Sequence, residues 1–444
     1  MSGVCIENSL TEIEQIMKSI SIYIHIPFCV KKCQYCDFLS APADSRAQEV
    51  YLRTLKQEIR EQAARYREYE VQTVFIGGGT PTAVPCEKLC EVLKTVFTCY
   101  RVNPHAEISM EANPGTVTKE TLLSYRKAGI NRISIGLQSA DDGELKLLGR
   151  IHTYRDFQQT YRWAQEAGFT NINLDIMSAL PGQSVENYKK TLETVLSLKP
   201  QHISAYSLIV EEGTPFYEKY GQESEKLQAT GEKQPDLPSE EEEREMYTLT
   251  EKLLATAGYH RYEISNYALP GMECRHNRVY WKRGNYVGFG LGAASMVENV
   301  RFENTRKMQE YLAEYAGVPG AEPVSAGVAQ GDEQELSNEQ EFSLREDTHS
   351  ENAQEFSIRE NVHPLSQQEQ MEETMFLGLR LTEGVSKAEF HRQFGVSMEQ
   401  IYGKVIQENI AQGLLADEAG YLRLTREGMD LSNYVMAQFL LDEV

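Results

Sequence analysis

Six short β-rich runs, each followed by a helical stretch or a loop, set the tightest limit on how this chain can fold. The runs cover 22–26, 73–76, 107–111, 132–136, 172–176 and 202–208, with helical patterns at 49–66, 88–97, 119–128, 154–167 and 185–198. Alternating βα units imply a parallel sheet with right-handed crossovers. Six of them fit either an open doubly wound sheet or a partial barrel. The residues just past each run favour the barrel. Cys29, Cys33 and Cys36 follow the first run, and Gly77, Gly78, Gly79 and Thr80 the second. Glu111, Asn113 and Pro114 mark the third, Gln138 and Ser139 the fourth, Asp175 the fifth, and Tyr206 and Ser207 the sixth. An open sheet concentrates its ligand contacts at one switch point, whereas a barrel draws on the C-terminal end of every strand. The expected fold is therefore α/β, a partial TIM-like (βα)6 barrel.

The rest of the chain divides by composition. Residues 1–20 read as an N-terminal extension, 21–230 as the barrel, and 231–315 as an extension of it. Within that extension Ser239 and Glu242 form a capping-box pattern ahead of an amphipathic helix. Residues 316–370 hold twelve acidic residues against two arginines. That stretch is expected to be disordered, because it has too little apolar surface to offset the entropy of ordering. An echo within it, 340–346 against 354–360, is a single tandem copy and too little for a repeat fold. Residues 371–444 show helical spacing, then a hairpin pattern around Ala419–Gly420, as in a small winged-helix-like domain.

Charge and cysteine usage narrow the function classes. With 44 basic and 66 acidic residues the formal charge is −22, which repels a phosphate backbone over most of the surface and argues against a nucleic-acid partner. No apolar run is long enough to span a bilayer, and the first twenty residues lack the basic and apolar regions of a secretory signal. A cytoplasmic location is expected, where the eight cysteines serve as thiols or metal ligands rather than disulfides. Cys86, Cys90 and Cys99 read as core thiols.

The loop Cys29-Val-Lys-Lys-Cys33-Gln-Tyr-Cys36 places three thiols within eight residues. They could hold three corners of one inorganic centre, whereas a structural zinc site and the common iron–sulfur pattern both want four ligands. An unmatched corner leaves a metal open to a small molecule. The competing readings are three reduced core cysteines, or a zinc site completed by His25 or Cys274.

This C-x3-C-x2-C loop resembles the signature of the radical S-adenosylmethionine (SAM) superfamily. Tyr23-Ile-His-Ile-Pro-Phe-Cys29 and Ile76-Gly-Gly-Gly-Thr-Pro-Thr82 resemble, more narrowly, the branch that holds oxygen-independent coproporphyrinogen III oxidases and HemW-type heme chaperones. The resemblance extends to Glu111-Ala-Asn-Pro-Gly115, Arg132-Ile-Ser-Ile-Gly-Leu-Gln138 and Leu180-Pro-Gly-Gln183. It implies a [4Fe–4S] cluster on Cys29, Cys33 and Cys36. It also implies SAM held by Tyr23, Gly78, Gly79, Thr80, Glu111, Gln138, Arg150 and Asp175, and cleaved to a 5′-deoxyadenosyl radical.

Two features bear on the choice within that branch. The oxidases extend the loop to C-x3-C-x2-C-x-C, and Phe38 occupies that last position here. The segment Cys274-Arg-His276-Asn-Arg-Val-Tyr280-Trp281 is similar to the H-N-x-x-Y-W pattern of the chaperones. By that resemblance His276 is a heme ligand, with Tyr280 and Trp281 flanking the macrocycle and Lys282 and Arg283 near its propionates; the competing reading is a hydrogen-bonded histidine beside a half-buried aromatic pair, with the two cations solvated. Its implied role is to bind heme and pass it to apo-hemoproteins, including membrane-bound respiratory proteins, with a homodimer as one oligomeric form. The alternative within the branch is oxidative decarboxylation of coproporphyrinogen III to protoporphyrinogen IX. A zinc-stabilised scaffold is the reading without chemistry.

Overall fold

The computed structural model describes residues 17–221, 235–315 and 358–441. Strands β1 (Lys18–Ile26), β2 (Tyr69–Gly78), β3 (Val102–Ala112), β4 (Arg132–Gln138), β5 (Ile172–Ser178) and β6 (His202–Ser207) run parallel and lie side by side in sequence order. A doubly wound sheet would reverse its strand order partway. Consecutive order with right-handed crossovers instead sends every connecting helix to one outer face, and strand twist curls the sheet around the other. The partial-barrel expectation holds.

Each strand separates two environments by simple alternation. Ile133, Ile135 and Leu137 of β4, and Ile172, Leu174 and Ile176 of β5, are fully buried within the main hydrophobic core. The intervening positions, Arg132, Ser134, Asn173 and Asp175, line an internal cavity. At roughly 25 cal/mol per Å² of apolar surface removed from water, the outward face supplies most of the stabilisation and leaves the inner face free for polar groups.

The sheet continues past both ends of the six-strand unit. Beyond β6 stand β8 (Asn266–Ala268), antiparallel to β6, and then β7 (His260–Arg261), antiparallel to β8. Beyond β1 stand β9 (Tyr286–Phe289), β10 (Ala294–Val297), β11 (Val300–Asn304) and β12 (Arg359–Pro364). Strand β12 corrects the expected boundaries, because residues 358–370 do not belong with a disordered insertion. Ile358 is buried, its carbonyl accepts from the Thr305 N–H at 2.7 Å, and the Arg359 guanidinium lies 4.1 Å from the centre of the Phe302 ring. The helix Gln367–Gly378 likewise starts before residue 371. The remainder of the insertion, 316–357, lies outside the described residues. At the other end β1 begins at Lys18, inside the expected extension, with Lys18 paired to Glu298 at 3.0 Å.

The C-terminal unit has its own core around Met375, Phe390, Tyr402 and Phe439. Its three-stranded sheet, β13 (Val385–Ser386) against β15 (Tyr421–Leu424) against β14 (Leu415–Glu418), carries the expected hairpin. Ala419 and Gly420 have φ of 51° and 83°, as a two-residue type I′ turn requires. This unit docks on the helix Arg275–Trp281. Arg278 meets Glu383 at 3.1 Å, Arg283 and Arg301 clasp Glu373 at 2.9 and 2.7 Å, and Arg380 lies 4.3 Å from the centre of the Trp281 ring.

Candidate functional site

The C-terminal ends of β1–β6 open onto a cavity of about 600 Å³. Ten of the twelve residues singled out in the sequence line it: Cys29, Cys33, Cys36, Gly78, Gly79, Thr80, Glu111, Gln138, Arg150 and Asp175. The cysteine loop is pinned at its base. Phe28 bridges Ala41, the Cys29 N–H donates to the Ala41 carbonyl at 3.2 Å, and the Ala41 N–H donates back to Pro27 at 3.0 Å. The glycine turn after β2 comes up against this base. The Thr80 N–H donates to the Phe28 carbonyl at 2.7 Å, and Thr80 Oγ1 lies 3.6 Å from Cys29 Sγ.

Gly79 sits where a side chain cannot. A Cβ there would lie 2.7 Å from the Phe28 carbonyl oxygen and 3.0 Å from Cys29 Sγ. Across the loop, Arg150 places Nη1 3.6 Å from Cys33 Sγ, while its Nη2 donates to the Gly136 carbonyl at 2.7 Å and to Asn113 Oδ1. The guanidinium is thus fixed in place beside one sulfur of the loop. Burial pushes the Cys36 thiol up to about 11, so metal binding there displaces a proton.

Deeper in the barrel the carboxyls are held in reserve. Glu111 accepts from the Gly78 N–H at 3.1 Å, and burial together with the nearby Asp175 raises its pKa to about 8. Asp175 accepts from Asn173 at 2.7 Å and Ser134 at 3.0 Å, and burial raises it as well. Gln138 adopts φ of 71° at the end of β4 and accepts from the Tyr206 hydroxyl at 3.1 Å. These groups form a ring of donors and acceptors below the cysteines, suited to a polar ligand with hydroxyl and amine groups.

Tyr23 and His276 do not line the cavity. The Tyr23 hydroxyl meets His25 Nδ1 at 3.0 Å, and His25 Nε2 meets the Leu39 carbonyl at 2.9 Å. His25 is thus committed to the loop and is not a fourth zinc ligand. Cys274 is equally committed, buried with its sulfur 3.5 Å from Glu107 Oε1. Among the described residues, no three His, Cys, Asp or Glu side chains enclose a single metal ion. A cubane differs in binding each cysteine at a separate iron, so its thiols need not converge on one point.

His276 is only 1% exposed. One ring nitrogen meets Thr73 Oγ1 at 2.7 Å and the other meets the Tyr280 hydroxyl at 2.8 Å, while Phe75 stacks on the ring. Burial lowers its pKa to about 3. In this conformation the imidazole is a structural post. Glu107 accepts from the backbone N–H groups of both Arg275 and His276, which fixes the N-terminus of their helix inside the barrel. Tyr280, Trp281, Lys282 and Arg283 are also engaged, the last three with the C-terminal unit. A heme iron binding His276 would have to displace one of these two ring partners from a side chain that is sealed from solvent.

Sequence reasoning missed the lower wall of the cavity, including Arg132, Asn173 and Ser204. The signal was present as period-two alternation of polar residues within strands that were read only at their ends.

Comparison with known proteins places this site in a family. The Radical SAM superfamily model matches residues 23–195, and the HemN C-terminal domain model matches 365–431. A Bacillus subtilis protein named heme chaperone HemW is 35% identical over 421 residues, 95% of this chain and 99% of the relative. The chain belongs to the HemW family. The heme chaperone HemW of Escherichia coli K12 is 32% identical over 424 residues, covering 95% of this chain and 98% of that one. The solved coproporphyrinogen III oxidase (HemN) of Escherichia coli, described as a radical SAM enzyme, superposes with a TM-score of 0.75 at 21% identity. The match covers 96% of this chain and 91% of that structure, and it establishes the shared fold.

Membership of the radical SAM superfamily implies a [4Fe–4S] cluster and SAM. The residues present fit that pair: three thiols on a pinned loop, an arginine beside one of them, a turn without a Cβ against another, and a polar chamber below. Gly79→Ala is expected to cut cluster loading to roughly half or less, because neither the Phe28 carbonyl nor the loop base can retreat from the added methyl without moving Cys29. Iron and sulfide per chain after anaerobic reconstitution measure this.

Proposed function

We propose that this HemW-family chain is a heme chaperone, one that binds heme and passes it to apo-hemoproteins. The observation that carries the reading is near end-to-end similarity to proteins named heme chaperone HemW, at 35% identity over 95% of this chain. Phe38 supports it, since the oxidase pattern asks for a cysteine there and Phe38 is 61% exposed at the cavity mouth. Cys29, Cys33 and Cys36 hold the cluster, which when bound supplies the electron for reductive cleavage of SAM. Gly78, Gly79 and Thr80 let the ligand's backbone-facing side approach closely. Arg150 orients its carboxylate, and Glu111, Gln138 and Asp175 take its hydroxyl and amine hydrogens. Tyr23 acts one step back, through His25. The acceptors are membrane-bound respiratory hemoproteins, reached from the cytoplasmic face. No helix among the described residues is long and apolar enough to cross a membrane.

The test is a titration of the reconstituted protein with hemin under anaerobic conditions, followed at the Soret band, with coproporphyrinogen III turnover assayed on the same sample. One heme bound per chain without turnover is the expected result. Decarboxylation without stable heme binding would establish the oxidase instead. His276→Ala is expected to leave heme affinity within about threefold while lowering thermal stability, since it strands the Tyr280 hydroxyl and leaves Thr73 with Ser21 alone.

A further inference from the structure

We infer that the heme lands on the rim of the barrel mouth, over the cysteine loop, with Val30, Phe38 and Ile209 against the macrocycle and Lys31 and Lys32 on its propionates. This rests on the heme-carrying reading above and locates the cargo, which that reading leaves open.

Exposure of large apolar side chains carries the argument. Among the described residues the four most exposed are Ile209 at 68%, Phe38 at 61%, Val362 at 59% and Val30 at 58%. Val362 lies on the edge strand β12. The other three lie on the cavity lining or next to it in the chain. Phe38 and Ile209 both line the cavity, and Val30 sits between Cys29 and Lys31, which line it too. Isolated exposed apolar residues are ordinary, but three together around the opening of a polar chamber mark a surface waiting for an apolar partner.

Charge selects the partner. Lys31 and Lys32 are exposed beside that patch, and neither forms an ion pair or hydrogen bond among the described residues. In a chain of formal charge −22 they are a local basic pair. Asp37 and Glu211 lie on the same rim, which confines the positive field to the 31–32 corner. A flat apolar body with two carboxylates on one edge matches this layout when that edge lies at the lysines. A heme propionate pair has this chemistry. The rim also needs no rearrangement to be reached, whereas His276 is sealed.

The experiment uses the full chain with its cluster reconstituted, and iron, sulfide and SAM binding checked for each variant. Hemin is titrated into wild type, Phe38→Ser/Ile209→Ser, Lys31→Glu/Lys32→Glu and Val362→Ser. Hemin dimethyl ester, whose carboxylates are masked, is titrated into wild type alongside. The expected result is hemin binding at least tenfold weaker for both double variants, no change for Val362→Ser, and ester binding about tenfold weaker than hemin in wild type. Wild type binding hemin and ester equally, with both double variants unchanged, would overturn the rim site while leaving the chaperone reading standing. Failure of wild type to bind hemin at all would overturn the chaperone reading itself. The ester comparison needs no substitution, so loss of the cluster in a variant cannot mask the answer.

Discussion

Replacing Cys33 with serine is expected to leave the purified protein without its iron–sulfur cluster. Three thiols supply every protein ligand, because the next position able to add one carries Phe38. A serine hydroxyl remains protonated at neutral pH and is a poor iron ligand, so two thiolates would have to hold a cubane that ordinarily takes three or four. Arg150, now 3.6 Å from Cys33 Sγ, would face a neutral oxygen and lose the anion it stabilises. Iron and acid-labile sulfide should fall from about four of each to below one per chain, and SAM binding should go with them. The fold should survive. The loop base is held by the Phe28–Ala41 bridge and the Thr80 N–H to Phe28 hydrogen bond rather than by metal, so far-UV circular dichroism should not change. Cluster content that persisted in the variant would mean the three cysteines are not its ligands. Zinc in place of iron in the wild type would revive the scaffold reading.

This separation of cluster from fold bears on what the sequence could and could not disclose. The six strands were legible because one face of each is a run of Ile, Leu and Met packing on helices, and the residue after each run departs from that pattern. Ten cavity residues were found that way, since they stand at strand ends where polarity is conspicuous. The lower wall was not, because Arg132, Ser134 and Asn173 sit inside strands and read as breaks in an apolar run unless alternate positions are separated. For His276 the sequence leaves two roles open. Its motif names residue types, and an imidazole flanked by tyrosine and tryptophan suits a porphyrin or a buried hydrogen-bond network equally well. Only long-range neighbours decide, and these are Thr73 from β2 and Arg380 from the C-terminal unit. The same holds for β12, whose composition is that of a solvated linker. It is ordered by partners nearly sixty residues back, at Phe302 and Thr305, and by Gln62, which accepts from Arg359 at 2.9 Å.

Glu58 offers the clearest view of how the extension is locked to the barrel, and removing it should have the largest effect on stability. It projects from the helix Ser45–Gln62 and is 1% exposed. Its carboxyl accepts from the Gly290 N–H at 2.8 Å, from Asn304 Nδ2 at 2.6 Å and from the Tyr311 hydroxyl at 2.7 Å. One side chain thus gathers the loop after β9, the end of β11 and the helix Met308–Glu314. Glu58→Ala would strand three buried donors, at a cost of about 3–5 kcal/mol. Burial raises the Glu58 pKa to about 7 in spite of those donors. Its folded value therefore exceeds its unfolded value near 4.5. Between those two pH values the native protein keeps a proton that the unfolded chain releases, so this group's contribution to stability is complete below about 4.5 and declines as pH rises toward 7, by roughly 3 kcal/mol in total. That slope is opposite to the one an ion-paired carboxylate produces. Urea denaturation at pH 5 and pH 7.5 should show it as a wild-type loss of stability. Glu58→Gln should be less stable than wild type at pH 5, yet lose less on going to pH 7.5, because its amide cannot release a proton. A Gln variant whose stability tracked wild type at both pH values would mean that Glu58 stays ionised in the fold and that the pH dependence arises elsewhere.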